Sequence, residues 1–127
     1  MENLNIAPLK KALNSLEVSI AQPLNEFTRD SVIQRFEFTF ELSWKALKKY
    51  LAADKPLDDD SVKGVLREAF QRKLISDLDQ WFKFQKSRNL TSHTYNEDTA
   101  EDVYLEALKL PQLCRELIQN LESKNEE

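Results

Sequence analysis

Apolar residues recur at helical steps along almost the whole chain. Leu9, Leu13, Leu16 and Ile20 stand three or four positions apart, predicting a first helix that opens near Asn5 or Ala7 and leaves at Pro23. Pro8 falls in its first turn, where a missing N–H costs nothing. In the next stretch Phe36, Phe38 and Phe40 alternate with polar residues, as in a strand, but the wider window overrules them. Ile33, Phe36, Phe40, Trp44, Leu47 and Leu51 keep steps of three and four, and Glu41 precedes Lys45 by one turn. The pattern predicts one helix over residues 30–53, capped by Asp30 or Ser31, with Phe38 and Leu42 widening its apolar face. A face so wide needs several neighbours, which makes this the central helix of a bundle.

A third helix is expected from Ser61, with Val62, Val65, Leu66, Ala69 and Phe70 inward, then a break over Lys73–Ser76. A fourth starts near Ser76 or Asp77 and buries Leu78, Trp81, Phe82 and one of Phe84 and Gln85. It fades into the polar stretch TSHTYNEDT. The last helix, from Thr99 to Leu121, carries Val103, Ala107, Leu110, Leu113, Cys114, Leu117 and Leu121 and should kink or split at Pro111. The outcome is a single all-α domain over residues 1–127, a four- to five-helix up-and-down bundle with a frayed tail from about residue 122.

Composition supports this reading. One glycine and four prolines leave few turn residues for hairpins. A lone cysteine, Cys114, excludes an internal disulfide, and with a single histidine it excludes a Cys/His zinc cluster; no metal or cofactor is expected. The absence of a long apolar run and of a signal-like N-terminus points to the cytoplasm. Net charge is −4, which disfavours nonspecific coating of nucleic acid. The charge is uneven, however. Residues 63–88 carry Lys63, Arg67, Arg72, Lys73, Lys83, Lys86 and Arg88 against Glu68, Asp77 and Asp79, and this basic stretch runs into RNLTSHTY.

That segment holds the only histidine. Residues five apart on a helix point about 140° from each other, so Arg88 and His93 cannot converge mid-helix, whereas Asn89 and His93 can. Either the helix ends between Arg88 and His93, or each works with groups from elsewhere, including a second subunit. A guanidinium donates in a planar fork to phosphate, and an imidazole moves protons near neutral pH. Together they suit metal-free RNA cleavage, His93 handling a proton and Arg88 stabilising charge on phosphorus. From spacing alone, a helix-capping arginine and a hydrogen-bonding loop histidine are the commoner account of such a pair.

The order Arg88, Asn89, His93, Tyr95 resembles the signature of the HEPN superfamily, small helical bundles that include metal-independent ribonucleases and toxins. The stretch IQRFEFTFELSWKALKKYL, with LREAF, RNLTSHTYNE and AEDVY after it, is similar to one branch, the nucleotidyltransferase substrate-binding protein family. The resemblance implies a homodimer that partners a minimal nucleotidyltransferase in a toxin–antitoxin-like module. It implies that Arg88 and His93 are the catalytic or nucleotide-contacting pair, supported by Asn89, and that Tyr95 accepts AMP from the transferase. Glu37 and Glu41 are candidates for supporting contacts, with a solvated helix face as the plain alternative. Members often carry a glycine in the turn before the fourth helix; this chain reads QRKLISD, so that turn is expected to be built differently. Three functions follow: a nucleotide- or RNA-binding partner of the transferase, an active ribonuclease toxin silenced at Tyr95, or a non-catalytic dimerisation adaptor.

Overall fold

The computed structural model describes residues 4–125, and all regular structure among them is helical. The elements are α1 (Ala7–Ile20), α2 (Glu26–Asp54), α3 (Val62–Gln71), α4 (Leu78–Asn89), a single 3₁₀ turn (Thr91–His93), α5 (Glu97–Ala107) and α6 (Leu110–Asn125). Each α-helix packs on its successor, and α2 touches all the others. The expected central helix is therefore present, with α5 and α6 as the two halves of the split last helix. Pro111 is the second residue of α6, where it forfeits no hydrogen bond.

Helix α2 begins four residues before the expected Asp30. Asn25 accepts from the N–H groups of Phe27 and Thr28 at 2.8 and 2.9 Å, and Thr28 Oγ1 accepts from the Asn25 N–H at 2.8 Å. This reciprocal capping box satisfies N-terminal donors before any apolar periodicity begins, because Phe27 faces solvent. Phe38 does not widen the buried face. Positions two apart on a helix diverge by about 200°, so with Phe36 and Phe40 fully buried, Phe38 points out and is 49% exposed. Leu42 does pack against the core, whereas Phe70, expected inward on α3, is 42% exposed. Thr39 and Ser43 are buried on α2 and donate back to the carbonyls of Arg35 and Thr39, both at 2.7 Å.

The centre of the bundle is aromatic. Trp81 lies 5.3 Å from Phe84 and 6.2 Å from Phe40 between ring centroids, and Phe36 meets Phe84 edge-on at 6.1 Å. These contacts pin α4 to α2. Cys114 is buried beside Ser43, and burial pushes its thiol up to about 11, so it packs as a small protonated hydrophobe.

The turn after α3 corrects an expectation. Leu74 N–H reaches Ala69 C=O at 2.9 Å and Lys73 N–H reaches Phe70 C=O at 3.0 Å, the double bond of a Schellman motif. Lys73 takes the left-handed position at φ 61°. The turn is thus of the glycine-favouring kind, with lysine accepting the conformation. At the other end of α3, Gly64 has no room for a side chain, since a Cβ would come within 2.3 Å of Asp59 Cγ. Residues 122–125 continue α6, and Lys10 holds Glu122 at 2.6 Å; residues 126 and 127 of the expected frayed tail lie outside the described residues.

Candidate functional site

The α4 helix ends at Asn89, between Arg88 and His93. A run of i→i+3 bonds then carries the chain round: Leu90 N–H to Ser87 C=O at 3.0 Å, His93 N–H to Leu90 C=O at 2.9 Å, and Asn96 N–H to His93 C=O at 3.2 Å. Thr91 Oγ1 donates to the Arg88 carbonyl at 2.8 Å, satisfying an acceptor that the helix end leaves free. Asn96 caps α5 by accepting from Thr99 N–H at 3.1 Å. Arg29 of α2 grips Glu97 in the first turn of α5 through two bonds of 2.8 and 3.2 Å, which hold the Glu97 carboxyl below the usual carboxylate range. The motif connector is therefore bonded at both ends.

Arg88 projects from the last turn of α4 toward α2. Its Nη1 is ion-paired with Glu41 Oε1, its Nε donates to Asn89 Oδ1 at 3.1 Å, and its guanidinium sits 5.5 Å from the Phe40 ring centroid. Glu41 also accepts from Trp44 Nε1 at 3.3 Å and lies 3.6 Å from Lys45. With the Arg88 and Glu41 side chains 23% and 27% exposed, the pair is fixed yet reachable. A guanidinium so placed can present a planar donor edge to an oxyanion.

His93 and Tyr95 form a second group. Both are exposed, and their rings meet edge to face at 6.0 Å. The structure thus joins Arg88, Asn89 and Glu41 through side-chain bonds, and His93 to Tyr95 through ring contact. The two groups are connected through the 3₁₀ turn. Glu37, one turn before Glu41, is half-buried and has no hydrogen bond or ion pair with another described residue. Phe40 and Trp44 were legible only as core residues, yet they flank the arginine–glutamate pair. The one signal for Trp44 is its position three residues after Glu41 on a helix.

The fold and motif define a small helical bundle with an arginine–histidine–tyrosine signature at the junction of two helices. The chain belongs to the family described as nucleotidyltransferase substrate binding protein like, which matches residues 4–123. A curated relative from Haemophilus influenzae, named probable ribonuclease HepT, is 35% identical over 119 residues, spanning 81% of this chain and 82% of its own. A solved structure from the same organism, described as revealing the fold of a substrate binding domain of a nucleotidyltransferase, superposes with a TM-score of 0.83 at 32% identity and covers 93% of this chain and 99% of that one. A protein of Thermus thermophilus superposes with a TM-score of 0.81 at 35% identity, covering 89% and 98%. No helix among the described residues is long and apolar enough to cross a membrane.

Proposed function

We propose that this protein is the nucleotide- or RNA-binding partner subunit of a minimal nucleotidyltransferase, in a two-component, toxin–antitoxin-like module, and that the transferase attaches AMP to Tyr95. The observation that carries the reading is the Tyr95 side chain, 84% exposed on a connector that is otherwise bonded at both ends. In the transfer, the phenolic oxygen bonds to the α-phosphorus of ATP, the bond to the bridging oxygen breaks, pyrophosphate leaves and the phenolic proton goes to a base of the transferase. The attached phosphate brings negative charge beside the motif, where it competes with RNA for Arg88. The test is to incubate the protein with its genomically adjacent nucleotidyltransferase and ATP, then map the adduct by peptide mass spectrometry. One AMP on Tyr95 is expected; no adduct, or one confined to another residue, rejects the reading.

The name of the Haemophilus influenzae relative favours a second activity for the same site, metal-independent RNA cleavage. There the 2′-hydroxyl oxygen attacks the neighbouring phosphorus and the 5′-oxygen leaves. His93 carries the proton and Arg88, supported by Asn89, takes up the developing charge. In the presence of a chelator, His93→Ala is expected to slow cleavage by about 10²–10⁴-fold. Equal rates for parent and variant rule the activity out, and retained transferase binding without cleavage leaves the binding subunit alone.

Exposed His93 gains a neighbour if a second copy docks nearby, and α2 offers a surface for it. Phe27 and Phe38, 80% and 49% exposed, stand three turns apart on the face of α2 that also bears Glu41. A homodimer through this stripe brings two motifs toward one axis. Phe38→Glu is expected to shift the sedimenting species from dimer to monomer with the helical circular dichroism unchanged.

A further inference from the structure

The basic stretch over residues 63–88 resolves into a line. On α4, Phe82, Lys86 and Asn89 are four and three residues apart and share one stripe, which ends at the motif. At its far end α3 packs against α4, and both Lys63 Nζ and the Arg67 guanidinium sit over the Phe82 ring, 5.7 and 5.6 Å from its centroid. Lys83 is exposed beside this stripe. None of Lys63, Arg67, Lys83 and Lys86 is ion-paired among the described residues, whereas Arg72 and Arg88 are engaged by Asp54 and Glu41. Acids also border the line: Asp79, one turn before Phe82 and Lys83 on α4, Glu68, next to Arg67 on α3, and Asp59, which faces Arg67.

We propose that this α3–α4 line is a track for single-stranded RNA leading to Arg88, a proposal that rests on the RNA-binding reading above. The α4 part of the line is a single stripe of side chains that runs about 10 Å from Phe82 to Asn89 at the helical rise. That footprint suits the phosphates of one strand better than the two backbones of a duplex. Arg67, exposed and held over Phe82, offers a flat cationic plane on which an unpaired base can stack. On a chain of net charge −4, a local cationic line favours a guided strand over general adhesion.

The test uses the full chain, a fluorescent twelve-nucleotide oligouridine, and the variant Lys63→Gln/Arg67→Gln/Lys86→Gln. All three positions are exposed, so the helical fold should persist. Oligouridine affinity is expected to fall by more than about tenfold, and the logarithmic salt dependence to flatten by about 2, at about 0.7 per phosphate contact on a single strand. AMP transfer to Tyr95, measured on the same preparations, is expected to stay at the parent rate. Parent-like RNA affinity in the triple variant overturns the track. So does loss of transferase binding with RNA affinity retained, which assigns the face to the protein partner. A parent protein with no measurable RNA affinity overturns it as well, and the Tyr95 readout then reports whether the transferase-partner reading stands by itself.

Discussion

Trp81→Ala is expected to lower the free energy of unfolding by about 3–5 kcal/mol, the range for emptying a large aromatic site in a core. The indole is fully buried and meets two other fully buried rings, Phe40 and Phe84, across the α2–α4 seam. Collapse of the neighbours is restricted because Phe36 is held in the same cluster against Phe84. For a domain stable by about 5–15 kcal/mol the loss is a large share of the total. Its consequence reaches the motif, since α4 carries Arg88 and the seam sets where the guanidinium meets Glu41. Trp81→Phe is the informative control. It keeps a ring in the seam and removes an Nε1–H that has no acceptor among the described residues, so it should cost well under half as much. Urea unfolding followed by circular dichroism reads both variants; a loss below about 1 kcal/mol for the alanine variant contradicts this account of the core.

Much of the architecture was legible because the core is periodic. Trp81 and Phe84 on α4, and Val103, Ala107, Cys114 and Leu117 along α5 and α6, are buried as their spacing indicates. Pro111 separates the last two helices as its missing donor requires. The departures have local causes. The first turn of α2 lacks an apolar period, so its start is visible only to someone who reads Asn25 and Thr28 as a capping box rather than a loop. Phe38 and Phe70 look like core by residue type, and only their helical phase turns them outward. In the turn before α4, the Schellman bonds of Lys73 and Leu74 outweigh the poor fit of lysine to a positive φ.

The candidate site divides along the same line. Termination of α4 between Arg88 and His93 follows from the lack of aliphatic residues after Leu90, a local property. The ion pair of Arg88 with Glu41 joins two helices far apart in sequence, and no spacing rule could select Glu41 over Glu37. Only the packing of Phe40 and Trp81 brings that turn of α2 alongside the end of α4.

Tyr95→Phe is expected to abolish AMP acceptance completely while leaving the fold intact. The substitution deletes one oxygen from a side chain that is 84% exposed, so the stability change should stay within about 0.5 kcal/mol. The phenyl ring remains and can keep its edge contact with His93, 6.0 Å away in the parent. Neither the 3₁₀ turn nor the α5 cap uses the hydroxyl, since their bonds run through Thr91, Thr94 and Asn96. The variant therefore separates chemistry from shape: the nucleophile disappears while the surface presented to the transferase is nearly unchanged. Transfer of radiolabel from ATP labelled at its α-phosphate should vanish, with complex formation at the parent level on a sizing column. If the site also cleaves RNA, the variant should remain fully active after incubation with transferase and ATP, whereas the parent loses activity as its adduct accumulates. Labelling of Tyr95→Phe at the parent rate refutes the assignment of this phenol.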